Sequence, residues 1–204
     1  MSESTPQQKL EKLTNITQGF KAFLYDCDGT LADNMQAHKD SYVEIAREYN
    51  IDLDDNIIDE LAGWPTVLVA SEISKRYKTD FDAHEFAEKK SKLFFDKFID
   101  KTLPVEFVAN HLLAHVGKVK IGVVSGGRAK TVSKTLQTLN LLDKIEVLVG
   151  AGDTEKGKPA PDPFLLAAQK LNVAPEDCIV FEDGQPGVDG AIAAGMQWVR
   201  IDKL

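Results

Sequence analysis

Asp26-Cys27-Asp28-Gly29-Thr30 places two carboxylates two residues apart, directly after the short apolar run Ala22-Phe23-Leu24-Tyr25. Side chains at i and i+2 of a strand share one face, so Asp26 and Asp28 point the same way and Cys27 points back into the sheet. Like charges that close are costly unless a cation or a shared proton offsets them. Metal-assisted phosphate chemistry is therefore the first candidate. Three further polar groups stand where apolar strands end: Ser125-Gly126-Gly127, Gly157-Lys158-Pro159 and Glu182-Asp183-Gly184. Together they offer carboxylates for a hard cation such as Mg²⁺ and a carboxylate able to attack phosphorus. They also offer a lysine and a hydroxyl for the phosphoryl oxygens, where charge accumulates. The glycines after Ser125 let the backbone approach a phosphate at the start of the next helix. Singly, each group has a plainer reading: a helix cap, an ordinary strand-to-helix turn, a solvated lysine. Their specificity lies in appearing in order, each after its own strand.

The elements that must position these groups follow from periodicity. A strand is expected at 21–26. From 104 onward strands at 119–125, 145–149, 178–181 and 198–201 alternate with helices at 128–140, 162–171 and 186–194. Near-continuous apolar strands between helices imply an α/β fold with a parallel sheet covered on both faces. Ligands of such sheets bind outside the carboxyl ends of the strands. Residues 33–103 carry almost no strand signal. Tyr42, Ile45, Ala46 and Tyr49, then Ile57, Ile58 and Leu61, then Val67, Leu68, Ser71 and Ile73 fall at helical spacing, and a long helix is expected from 83 to about 101. This segment holds 16 acidic and 10 basic residues, so it supplies −6 of the chain's net charge of −8. Residues 1–18 read as a polar N-terminal tail with one helical turn near 8–13.

Composition narrows the classes. Of the 204 residues, 43% are hydrophobic, enough for a real core. The acidic balance argues against nucleic acid or an anionic membrane as partner. No apolar run approaches the ~18 residues of a membrane span, and the start lacks the basic and apolar stretches of a signal peptide. Cys27 and Cys178 read as buried, reduced core residues. The expectation is a cytoplasmic soluble protein, with nothing that demands more than a monomer.

Taken together, the motifs resemble those of the haloacid dehalogenase-like superfamily of phosphatases and phosphomutases. Asp26-Cys27-Asp28-Gly29-Thr30-Leu31 resembles its first motif, Val124-Ser125-Gly126 its second, and Gly157-Lys158-Pro159-Ala160-Pro161-Asp162 its third. Phe181-Glu182-Asp183-Gly184 with Gly187-Val188 resembles its fourth. The subgroup most similar is the β-phosphoglucomutase-like one, with a helical cap inserted after the first motif. The resemblance implies a Rossmann-like catalytic core of residues 19–32 and 104–204, a cap of 33–103, and a Mg²⁺-dependent phosphatase acting on a small phosphorylated metabolite, a sugar phosphate being the expected kind. It implies Asp26 as the nucleophile that forms an aspartyl phosphate and Asp28 as general acid/base. Ser125, Gly126 and Lys158 would bind the phosphoryl group, and Thr30 would brace the loop. Asp26, the Asp28 carbonyl and Asp183 would hold the metal, with Glu182 beside it, directly or through water.

His38, Trp64 and Thr66 are the expected substrate or cap residues. His38 matches a histidine of the sugar phosphomutases, though a helix-surface histidine fits its position equally. Ala62 and Thr66 stand where mutases carry the basic residues that grip a second phosphate, which favours plain hydrolysis. Two rivals remain at this point: a phosphosugar mutase drawing a cation from Lys89, Lys90 or Lys92, and a phospho-accepting signalling domain.

Overall fold

The computed structural model describes residues 4–204. In chain order the elements are α1 (Pro6–Ile16), β1 (Ala22–Tyr25), β2 (Ala32–Asp33), α2 (Met35–Glu48), α3 (Asn56–Glu60), α4 (Thr66–Tyr77), α5 (Ala83–Lys97) and β3 (Leu103–Pro104). There follow α6 (Glu106–His115), β4 (Lys120–Val124), α7 (Ala129–Thr138), β5 (Val147–Val149), α8 (Asp162–Leu171), β6 (Cys178–Glu182), α9 (Gln185–Ala193) and β7 (Gln197–Arg200). Five strands form one parallel sheet in the order β5-β4-β1-β6-β7. This is the expected α/β architecture, with β1 at its centre.

The alternation along β1 divides the core. Ala22 and Leu24 face a cluster with Phe164, Ala167 and Leu171 of α8 and Ala191 of α9. Phe23 and Tyr25 face the other side, against Leu112 of α6, Val132 and Leu136 of α7, and Leu13 of α1. Each face buries apolar side chains that would cost roughly 1.5–3 kcal/mol apiece to expose, which is why the strands read as continuous apolar runs.

Two features differ from the sequence reading. The polar start is not a tail with a single turn: residues 6–16 form a full helix. Thr5 and Gln8 make a reciprocal capping box, with Gln8 N donating to Thr5 Oγ1 (3.3 Å) and Thr5 N donating to Gln8 Oε1 (2.9 Å), and Pro6 occupies the first turn. Leu13 is fully buried, so one apolar residue anchors an otherwise polar helix. The second difference is the short antiparallel ribbon in which Ala32 pairs with Pro104 and Asp33 with Leu103. It ties together the two ends of the helical segment. Two-residue strands leave no period to read, so nothing in the sequence signals them.

Helices α2–α5 bury Tyr42, Ile45, Ile57, Ile58, Ile73 and Phe86 against one another, in a cluster separate from both faces of the sheet. Asp82 caps α5, accepting from His84 N and Glu85 N at 2.7 and 3.1 Å. The segment thus has its own small core and overhangs the carboxyl end of the sheet.

Candidate active site

The sheet order brings the polar strand ends together. Tyr25 is level with Val123 of β4 and Phe181 of β6, so the residues one step beyond lie side by side, and Asp26 N donates to Phe181 O at 2.9 Å. The chain runs from β1 outward through β4 to β5, then returns to β6 on the opposite side of β1. Such a reversal opens a crevice at the carboxyl ends.

Lys158, from the loop after β5, is buried at the centre. Its Nζ donates to Asp26 Oδ1 at 2.7 Å, Glu182 Oε1 at 2.5 Å and Val124 O at 2.8 Å. Burial alone would lower its pKa, but Asp26 and Glu182 outweigh that and raise it, so the lysine is a fixed cation. One lysine does not balance the acids around it. Glu182 is fully buried and Asp26 is 3% exposed. Burial, with Asp26 and Asp183 nearby, pushes Glu182 up to about 8. Burial and Asp26 push Asp183 up to about 7, and burial raises Asp26 as well. Carboxyl oxygens of Asp26, Glu182 and Asp183 lie within 4.8 Å of one another, and Glu182 Oε2 is buried with no hydrogen-bond partner. This donor set fits a hard divalent cation, which would supply the missing charge. Thr30 donates to Asp183 Oδ1 at 3.0 Å. Gly29 leaves the carboxylate its room: a Cβ there would lie 2.2 Å from Asp183 Oδ2, and the backbone φ of +84° also favours glycine.

Asp28 lives in a different environment from Asp26. Asn34 Nδ2 donates to its Oδ1 at 2.7 Å, and His38 Nε2 lies 3.3 Å from the same oxygen. Burial alone would raise the Asp28 carboxyl, but His38, Asn34 and Lys90 together hold it down at about 2. His38 stacks on Phe94 with ring centroids 4.0 Å apart, and its Nδ1 meets Lys90 Nζ. Lys90 is 3% exposed, and its removal from water lowers its pKa to about 7. His38 is therefore no surface residue: it bridges the helical segment to Asp28.

A cavity of about 70 Å³ lies over these groups. Its floor includes Asp26, Asp28, Ser125 and Gly126, and its roof includes His38, Tyr42, Trp64 and Thr66. Trp64 lines this roof and also packs against the helical cluster. Ser125 Oγ accepts from Gly127 N at 3.0 Å, which leaves its proton free for an anion. Sequence reasoning read Tyr42 only as one of a set of helically spaced residues, and it named Lys90 only as one of three lysines. A signal for Lys90 existed: Phe86, Lys90 and Phe94 are spaced i, i+4, i+8, so they share the buried face of α5.

Comparison with known proteins agrees with this geometry. A haloacid dehalogenase-like hydrolase family model matches residues 23–201. A fructose-1-phosphate phosphatase of Escherichia coli is 31% identical over 185 residues, covering 91% of this chain and 98% of that one. A β-phosphoglucomutase of Bacillus subtilis is 29% identical, covering 89% and 83%. Among solved structures, a β-phosphoglucomutase from Clostridium difficile superposes with a TM-score of 0.78 at 28% identity, covering 88% of this chain and 83% of that one. The span matched by the family model holds every residue of the acidic and lysine cluster: the chain belongs to the haloacid dehalogenase-like hydrolase family, in its β-phosphoglucomutase-like group, and is a phosphatase.

Proposed function

We propose that the protein hydrolyses a small phosphorylated metabolite, a sugar phosphate, through an aspartyl phosphate on Asp26. The observation that carries this is the contrast between the two aspartates: Asp26 is buried and bound at Oδ1 by Lys158, while Asp28 is held ionised by groups of the helical segment. In the first step an Asp26 carboxylate oxygen attacks phosphorus, the bond from phosphorus to the leaving oxygen breaks, and Asp28 gives that oxygen a proton. A phosphoryl dianion beside Asp28 is a like charge that raises its pKa, so the carboxyl can carry this proton when substrate is bound. In the second step water attacks phosphorus, Asp28 takes the water's proton, and the bond from phosphorus to Asp26 breaks to release phosphate.

Ser125, the Gly126 backbone and Lys158 orient the phosphoryl oxygens. Asp26, the Asp28 carbonyl and Asp183 would hold Mg²⁺, with Glu182 beside them; when bound, it offsets the charge that collects on phosphorus. Residues 33–103 act as a cap on the core formed by 19–32 and 104–204. Asp26→Asn should abolish phosphate release, and turnover near the wild-type rate would sink the covalent route.

The names of relatives support sugar phosphates as substrates: one acts on fructose 1-phosphate and another is a hexitol phosphatase. A mutase is the second reading, favoured by the β-phosphoglucomutase relatives and by the cation Lys90. A mutase must also grip a second phosphate, yet Ala62 and Thr66 bring no charge to the cavity roof, and Lys90 is engaged with His38. Incubation with β-glucose 1-phosphate separates the two, by free phosphate against glucose 6-phosphate.

A further inference from the structure

Asn34 stands at the N-cap of α2, where an asparagine oxygen ordinarily accepts a backbone N–H of the first turn. Here the side chain makes no cap bond, and its Oδ1 is buried without a hydrogen-bond partner. An orphaned buried oxygen is a cost to folding, so the amide is not placed for stability. Its other end shows what it is placed for: Nδ2 donates to Asp28 Oδ1 at 2.7 Å. The backbone is built for this meeting. Leu31 N and Ala32 N both donate to Cys27 O at 2.9 Å, and Gly29 N donates to Ala32 O at 2.8 Å, so the chain turns back on Asp28. The pairing of Asp33 with Leu103 then fixes the residue before Asn34. The two oxygens of Asp28 consequently differ. Oδ1 takes the amide and lies 3.3 Å from His38 Nε2. Oδ2 is turned toward the strand-end loop: a Cβ on Gly127 would lie 3.7 Å from it and 3.4 Å from Ser125 Oγ. Asp28 and Ser125 line the same cavity, so Oδ2 is the oxygen on the phosphoryl side.

We propose that Asn34 commits Asp28 to work through Oδ2, by tying Oδ1 with its amide and leaving the second oxygen to face the leaving group. This rests on Asp28 being the acid of the first step. An N–H donor on Oδ1 excludes a proton from that oxygen, so the proton that Asp28 carries sits on Oδ2. In the first step the Oδ2–H bond breaks as the leaving oxygen takes the proton and its bond to phosphorus breaks, while the Asp26 oxygen bonds to phosphorus. Asn34 touches none of these atoms and is a positioning residue.

The leaving group supplies the test, because p-nitrophenolate departs without a proton and a sugar alkoxide does not. Release of p-nitrophenol from p-nitrophenyl phosphate and of fructose from fructose 1-phosphate is followed with Mg²⁺ and enzyme in excess, which reports the first step alone. The proteins are the wild type, Asn34→Leu, Asn34→Ala, Asp28→Asn and the double variant Asn34→Leu/Asp28→Asn, with thermal unfolding of each. Asn34→Leu should slow fructose release about tenfold or more and p-nitrophenol release less than about threefold. The double variant should be no slower than Asp28→Asn, since no acid is left to position. The ratio of the two releases cancels any unfolded fraction, and Asn34→Ala carries the same comparison if the leucine variant does not fold. Equal losses on both substrates, no loss, a double variant slower than Asp28→Asn, or failure of both Asn34 variants to fold overturns the role of Asn34. A selective loss in Asp28→Asn leaves the acid assignment standing whatever Asn34 shows; fructose release by Asp28→Asn at the wild-type rate overturns that assignment, and the role of Asn34 with it.

Discussion

Replacing Lys158 with methionine keeps the length of the side chain and removes its charge. In the wild type the lysine side chain is buried and its ammonium serves two buried carboxylates, Asp26 and Glu182, together with the Val124 carbonyl. Methionine leaves two buried carboxyls without their cation and one carbonyl without a donor. Breaking a buried ion pair on one side costs about 3–5 kcal/mol, equivalent to roughly 6–20 °C in Tm for a chain of this size. The cost depends on pH in a definite direction. Glu182 and Asp26 already titrate above their ordinary range with the lysine present, and without it they rise further. A carboxyl raised in the folded state binds protons that the unfolded chain has already released. Stability is therefore present at low pH and lost as pH climbs through the folded pKa. For each such proton the slope is about 1.4 kcal/mol per pH unit. Urea unfolding in chelator, followed by tryptophan fluorescence at pH 6 and pH 8, should show a larger deficit for Lys158→Met at pH 8. A deficit below about 1 kcal/mol at pH 8, or the same deficit at both pH values, would refute the reasoning.

Other expectations concern residues besides Lys158. Leu13→Ala should destabilise by about 2–5 kcal/mol in the same urea assay, because α1 is anchored in the core. Tyr25 OH bonds His111 Nδ1 at 2.8 Å and His111 Nε2 meets Thr17 Oγ1 at 3.0 Å, so Tyr25→Phe leaves a buried ring nitrogen unpaired and should cost about 1–3 kcal/mol. Burial, then His115, lowers His111 to about 3; the unfolded chain takes up that proton near the ordinary histidine pKa, so this contribution is lost as pH falls from about 6.5 toward 3. His111→Phe should accordingly flatten the acid side of the stability curve, measured by circular dichroism. Mg²⁺ at a hundred times its dissociation constant should stabilise the folded enzyme by about 2.7 kcal/mol, and Asp183→Asn should lose most of that gain in a thermal shift titration.

The sequence by itself determined the strand-end chemistry. Asp26, Ser125, Lys158, Glu182 and Asp183 could be picked out because apolar strands make a polar terminus conspicuous, and because i, i+2 spacing needs no fold to interpret. The helical character of 33–103 was legible for a similar reason: its periodicity is local. The capping box Thr5-Pro6-Gln7-Gln8 was also present to be read, but one buried leucine is too faint a pattern to announce a packed helix. Only the tertiary structure decided which lysine of Lys89, Lys90 and Lys92 lies beside His38 and how Asn34 and His38 make Asp28 unlike Asp26. Those facts depend on groups far apart in the chain meeting at hydrogen-bond or van der Waals distance. Local periodicity carries no information about such meetings; the sheet order and the docking of the helical segment create them.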